Sequence, residues 1–192
     1  MSGHHKEDFQ MDPNVKIVVL GDKAVGKSKV LERYLVNEYN DTRQPTHGLT
    51  LHRKKVAVGK ETLVVEFCDV SGDKAFNKVH PACFYGASCA ILMFDVTRKQ
   101  TYLDLRYFFN VVRRHNPSIP CIVVANKIDF SYEAVQKKSF RFPAEHGLPF
   151  FFTSAVDGTN CSKVFEEALI ASVEKNRDAG KDFLSECLGL FD

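Results

Sequence analysis

No apolar run in the 192 residues reaches the roughly 18 that a membrane-spanning helix needs. No C-x-x-C pair occurs among the six cysteines, Cys68, Cys83, Cys89, Cys121, Cys161 and Cys187. Most of them sit in apolar runs and read as reduced core thiols of a cytoplasmic protein, with a zinc site as the remote alternative. An excess of one charge is also missing. The net charge is +2 with both signs interspersed, which gives no basic face for nucleic acid. Residues 1–13 are polar, with His4 beside His5, and lack the apolar centre of a signal peptide. They read as a flexible arm. Ser2 stands where a myristoylation signal needs glycine, and Cys187 lies too far from the end for a prenylation signal, so no direct lipid anchor is expected.

What is present is a globular composition, 44% hydrophobic and 26% charged, sufficient for the core of one domain. The chain is organised around Gly21-Asp22-Lys23-Ala24-Val25-Gly26-Lys27-Ser28, which fits G-x-x-x-x-G-K-[ST]. An apolar run, 15–20, leads into it, and a helix-like run, 27–38, leads out. That context separates a phosphate loop from an incidental glycine-rich turn. Backbone N–H groups and the positive end of the following helix make a nest for phosphate oxygens. Ala24, Val25, Gly26, Lys27, Ser28 and Lys29 are the candidate cradle. Lys27 suits the β- and γ-phosphates, and the Ser28 hydroxyl suits Mg²⁺.

The first helix is expected to turn Val30, Leu31, Tyr34 and Leu35 inward. A turn-rich segment from Asn37 to Gly48 follows. Its Thr46 is placed to return to a bound metal, although a threonine in a loop carries little signal alone. Runs at 49–58 and 61–69 read as a hairpin about Gly59-Lys60. The second run ends in Asp69-Val70-Ser71-Gly72, where Asp69 suits a water on Mg²⁺ and the Gly72 N–H suits a γ-phosphate. Alone, that stretch is an ordinary strand-ending turn. Residues 75–85 are helix-like and broken at Pro81. A strand at 89–95 precedes a helix predicted over 101–116. Leu103, Tyr107, Val111 and Val112 mark its inner face, and Arg106, Arg113 and Arg114 its solvated side. A strand at 120–125 leads to Asn126-Lys127-Ile128-Asp129. Ser139 is placed to cap a short helix through Glu145, with Pro143 in its first turn. A strand at 149–153 leads to Ser154-Ala155, and the closing helix spans 160–175. After Asn176-Arg177-Asp178-Ala179-Gly180, a tail carries Phe183, Leu184, Cys187, Leu188 and Phe191 as a rough helical stripe, suited to docking on the body or, as the alternative, on a partner. The expected organisation is an arm (1–13), a domain (14–176) and a tail (177–192). Six strands alternating with helices, with one hairpin, predict an α/β fold: a doubly wound, six-stranded, mostly parallel sheet flanked by helices. Ligands in such folds bind beyond the carboxyl ends of the strands, where all the motifs fall.

Asn126-Lys127-x-Asp129 addresses the base. A carboxylate accepting from two ring-edge N–H groups suits guanine, which offers N1–H and the 2-amino group; adenine offers neither arrangement. Leaving such a buried, charge-assisted pair unmade costs several kcal/mol. Asp129 therefore favours GTP and GDP over ATP.

From about 15 to 175 the chain resembles the Ras-superfamily small GTPases, and within them the Rab branch. Ala24-Val25-Gly26-Lys27-Ser28-Lys29, Asp95-Val96-x-Arg98-Lys99-x-Thr101-Tyr102, the stretch 119–129 and Ala155-x-Asp157-Gly158-Thr159-Asn160 are most similar to the Rab-like two subfamily. The resemblance implies a P-loop small G domain with GTP or GDP and Mg²⁺ as ligands. It implies Tyr39 as the aromatic across the guanine and Thr46 as a Mg²⁺ ligand of the GTP state. It assigns Ser154, Ala155 and Val156 to the loop at guanine O6, with valine where many relatives carry lysine. Effector proteins would meet the switches at 39–48 and 70–80. The subfamily implies intraflagellar transport, a small centriolar adaptor, a place at the ciliary or flagellar base, and no prenylation. A monomer is the default state.

Two positions depart from the family pattern. Asp73 stands where glutamine orients the attacking water; a carboxylate is shorter, cannot donate as an amide does, and brings negative charge towards an anion. Lys23 stands where a small residue leaves room for an inserted arginine. Lys27 and Asp73 are thus the catalytic candidates, and slow hydrolysis is expected. Two other readings stay open: a scaffold that holds GTP constitutively, and a small P-loop kinase, which would need an acceptor lid and adenine selectivity.

Overall fold

The computed structural model describes residues 12–36, 48–58, 61–73, 81–130, 135 and 139–189. Six strands form one sheet: β1 (Val15–Gly21), β2 (Leu49–Val58), β3 (Glu61–Val70), β4 (Cys89–Asp95), β5 (Cys121–Asn126) and β6 (Phe150–Thr153). Their order is β2-β3-β1-β4-β5-β6. Only β2 runs antiparallel, against β3; the other four pairings are parallel. This is the mostly parallel, doubly wound sheet that the alternation of elements predicts.

β1, β4 and β5 are almost wholly apolar because both faces of the sheet are covered. Successive side chains alternate faces. Val18, Leu20, Leu92, Phe94, Val123 and Ala125 enter one core, and Ile17, Val19, Ile91, Met93, Ile122 and Val124 the other. Helix α1 (Lys27–Val36) covers the second face with Val30 and Leu31 buried and Tyr34 and Leu35 packed beside them. Tyr34 stacks on Phe165, with ring centroids 4.6 Å apart. Among the described side chains, five cysteines are free and buried. Burial pushes the Cys68 thiol up to about 12 and those of Cys121 and Cys161 to about 11.

Several elements differ from expectation. Of the helix-like stretch 75–85, the described part is the short α2 (Pro81–Phe84), which Pro81 opens, where its missing N–H costs nothing; residues 75–80 lie outside the described ones. The long helix begins earlier and is split into α3 (Lys99–Leu103) and α4 (Leu105–His115) around Asp104. Its inner face is Leu105, Phe108 and Val112, whereas Leu103 and Tyr107 are exposed. Arg113 is not on a purely solvated side: it lies over the Phe109 ring and donates to the Ile119 carbonyl at 2.6 Å. Helix α5 (Arg141–Glu145) has Phe140, not Ser139, at its N-cap, without a side-chain cap. The Tyr102 hydroxyl accepts from the Phe142 N–H at 3.0 Å instead. Helix α6 (Cys161–Gly189) runs 29 residues, straight through Asn176–Gly180. Val164, Phe165, Ala168 and Leu169 are buried in it as expected. The tail stripe from Phe183 onward has side chains outside the described ones. So do Tyr39, Thr46, the Gly59-Lys60 turn and residues 74–80.

Candidate functional site

The carboxyl ends of β1, β3, β4 and β5 bring the chemistry-bearing residues to one edge of the sheet. Between β1 and α1 the loop turns back on itself, with Ala24 at φ 57° and Gly26 at φ 97°. The second value needs glycine for its dihedral and for space: a Cβ there would overlap Asn126 Nδ2. The Val30 N–H donates to the Gly26 carbonyl as the helix begins. Lys27 is 6% exposed. Its ammonium donates to the Gly21 and Asp22 carbonyls, both at 2.9 Å. Burial lowers its pKa to about 8, although the carboxylates of Asp69 and Asp22 pull the other way. Ser28 Oγ donates to Asp69 Oδ2 at 2.5 Å. Asp69 is buried at the end of β3, opposite Val19 of β1. A hydroxyl and one carboxylate are hard oxygen donors of the kind Mg²⁺ takes alongside phosphates. The donor set and the nest therefore fit a Mg²⁺-nucleotide. The Lys29 ammonium pairs with Glu32 at 3.0 Å.

Asn126 links three parts of the site. Its Nδ2 donates to the Val25 carbonyl at 2.8 Å, and its Oδ1 accepts from Thr153 Oγ1 at 3.0 Å. Lys127 adopts φ 68°, unusual for a long side chain. Its ammonium reaches both the Ala24 carbonyl and Asp95 Oδ2, each at 2.8 Å. Asp129 Oδ1 accepts from Ser154 Oγ at 2.7 Å. Ser154 is fully buried, and its carbonyl accepts from the Gly158 N–H at 2.9 Å. That turn carries Ala155, buried, and Val156, about half exposed.

At the other end, Gly72 lies so close to the loop that a Cβ would overlap the Asp22–Lys23 peptide. The Ser71 N–H donates to the Gly48 carbonyl at 2.8 Å, tying the ends of two loops together. The two departures from the family pattern touch: Lys23 Nζ lies 2.7 Å from Asp73 Oδ2. Each was legible singly, but no periodicity or spacing links them.

Sequence reasoning gave no role in the site to Asp95 or Arg98. Asp95 is 1% exposed and accepts from Thr97 and Arg98 as well as Lys127. Burial alone would raise its pKa, but the Lys127 ammonium and the Thr97 donors outweigh it and hold the carboxyl below its ordinary value. The available signal was an acid closing an apolar strand with an arginine three residues on.

Residues 16–174 match the model of the Ras family. The chain belongs to that family of small GTPases. It is 40% identical over 178 residues to Rab-like protein 2A of Homo sapiens, covering 93% of this chain and 77% of that protein. Rab-like protein 2B of Homo sapiens is 41% identical over the same length and shares. The Ras-related protein YPT3 of Nicotiana plumbaginifolia is 33% identical over 172 residues, 88% of this chain and 78% of that one. The chain is thus a Rab-like GTPase, of a family that binds GTP and GDP.

Proposed function

We propose that this protein is a GTP/GDP-regulated switch with slow hydrolysis, acting in intraflagellar transport at the ciliary base. The observation that carries the nucleotide reading is the convergence on one edge of three separate devices. They are the Lys27 loop, the Ser28–Asp69 oxygen pair and the Asp129–Ser154 pair, with Asn126 and Lys127 bonded to the loop between them. Ser28 and Asp69, the latter through water, would hold Mg²⁺, with Thr46 joining in the GTP state. The bound metal would offset negative charge on the phosphates. Asp129 would accept from guanine, and the turn at Ser154, Ala155 and Val156 would lie against O6. Tyr39 would cover the base.

Slow hydrolysis is supported by Asp73 and its partner. The Asp73 carboxylate is engaged by Lys23, and neither group offers the amide that both accepts from and donates to an attacking water. The same ion pair favours a second reading, a protein that holds GTP and serves as a scaffold. Single-turnover hydrolysis of preloaded GTP, for wild type and Asp73→Gln, separates them. A slow wild type accelerated by glutamine supports a braked switch. An inert pair of proteins supports the scaffold. A wild-type rate equal to that of an ordinary small GTPase overturns both.

The cellular part rests on likeness to the Rab-like two subfamily. Effectors would meet 39–48 and 70–80, the intraflagellar transport complex and a small centriolar adaptor being the expected partners of a soluble monomer. Binding of purified transport complex to the GTP-loaded but not the GDP-loaded protein tests it, and equal binding to both forms sinks it.

A further inference from the structure

Three consecutive carbonyls of the phosphate loop each accept from a side chain of another element. Val25 O accepts from Asn126 Nδ2 at 2.8 Å, Ala24 O from Lys127 Nζ at 2.8 Å, and Lys23 O from Arg98 Nη2 at 2.6 Å. The first two donors belong to the base-reading motif. The third comes from the corner between β4 and α3. We propose that Arg98 is a positioning residue of the nucleotide site, the third member of a clamp that sets the direction of the loop's N–H groups.

The reason lies in the peptide plane. Among the described residues no peptide bond is cis, and in a trans peptide the carbonyl of one residue and the N–H of the next point in opposite directions. Holding the carbonyls of Lys23, Ala24 and Val25 from outside therefore turns the N–H groups of Ala24, Val25 and Gly26 the other way, into the concave side. A nest attracts phosphate only while those donors converge. The Arg98 clamp fixes the first of them.

Arg98 is itself held. Its Nε donates to Asp95 Oδ2 at 3.1 Å, the same oxygen that Lys127 contacts at 2.8 Å. One buried carboxylate thus orients two cations towards adjacent carbonyls. Thr97 fixes the other oxygen through its N–H at 2.9 Å and its hydroxyl at 2.6 Å. Thr101 Oγ1 closes the corner by donating to the Arg98 carbonyl at 2.7 Å and accepting from the Asp95 N–H at 3.0 Å. Arg98 also connects to the far end of the site, because the residue whose carbonyl it holds carries the ammonium that meets Asp73. The Arg98 side chain is 42% exposed, so truncating it removes the clamp without opening the core.

The inference rests on the loop being a nucleotide cradle, and the test separates the two. Wild type, Arg98→Ala, Arg98→Lys and Lys99→Ala are loaded with a fluorescent GDP, and release into excess GDP is timed. Thermal midpoints of the nucleotide-free proteins are taken alongside. Arg98→Ala is expected to release about five-fold faster, the effect of one charge-assisted hydrogen bond at a half-exposed site. Arg98→Lys should fall between, since an ammonium cannot serve Asp95 and Lys23 with a planar fork. Lys99→Ala, the exposed neighbour, should match wild type, and all midpoints should agree within about 2 °C. Release from Arg98→Ala within twofold of wild type overturns the proposal. So does equal acceleration by Lys99→Ala, which would mean surface charge alone, or a midpoint loss that accounts for the acceleration. Wild type that takes up no fluorescent GDP removes the nucleotide reading, and this inference with it.

Discussion

At the end of the site suited to the base, Asp129 and Asn126 stand on Ser154 and Thr153, both completely buried, and on strands with two covered faces. At the end suited to the γ-phosphate, Lys23 and Asp73 hold each other through a lysine side chain that is 62% exposed. The first arrangement is anchored in the core. The second is a surface pair, of a kind worth little in isolation and weakened by salt. The contrast teaches that holding a nucleotide and hydrolysing it draw on separate parts of the fold, and that in this chain the holding part is the better built.

The hardest way to break that contrast is at Asn126. Asn126→Ala leaves the Val25 carbonyl and the Thr153 hydroxyl without their buried partner, and nucleotide affinity should fall about 100-fold. A fluorescence titration with GDP checks this, and Asp73→Ala in the same titration should change affinity less than threefold. Next comes Gly72→Ala. The added methyl must push β3's end from the Asp22–Lys23 peptide, an overpacking that should slow hydrolysis about tenfold while GDP affinity is nearly kept. A rate unchanged in single turnover would mean that this close approach has no part in the chemistry.

A smaller effect should come from Asp95. Its carboxyl is held below the ordinary 3.8, so between that lowered value and about pH 4 the folded state binds fewer protons than the unfolded one. The resulting stability is complete above about pH 4 and disappears as the pH falls further. Asp95→Asn should lower the thermal midpoint by about 4 °C at pH 7 and flatten its decline on the acid side. An acid limb identical to wild type would show that the carboxylate is not held by Lys127 and Thr97 in solution. The smallest effect belongs to Lys23→Ala, which should cost less than about 1 kcal/mol, and that only at low salt. A larger loss would erase the difference between the two ends.

Much of this was legible in the sequence because the site is made of local motifs at the ends of strongly apolar strands. Gly21 to Ser28, Asp69 to Gly72 and Asn126 to Asp129 each carry their chemistry within a few residues. What was not legible depended on choices that periodicity leaves open. Leu103, Tyr107 and Val111 form one helical stripe and Leu105, Phe108 and Val112 another beside it; the break at Asp104, set by packing on β4, decides between them. Gly180 in Asn-Arg-Asp-Ala-Gly reads as a stop, yet an interior glycine costs a helix only about 1 kcal/mol, and α6 continues through it. Lys23 with Asp73, and Arg98 with Lys23, are pairings made by the fold.

The same long reach bears on how the protein is made. Arg98, Asn126 and Lys127 meet the loop across sequence separations of 75, 101 and 103 residues. At the usual pace of translation, about 5–20 residues per second, the loop waits roughly 5–20 seconds for the last of them. β1, moreover, has both its sheet neighbours, β3 and β4, still to come. A nascent chain stalled before residue 126 should therefore carry the whole glycine-rich motif and retain no guanine nucleotide, whereas one stalled after release of α6 should retain it. In the cell, nucleotide capture becomes a late checkpoint of synthesis, open only to a chain whose sheet has closed around its first strand.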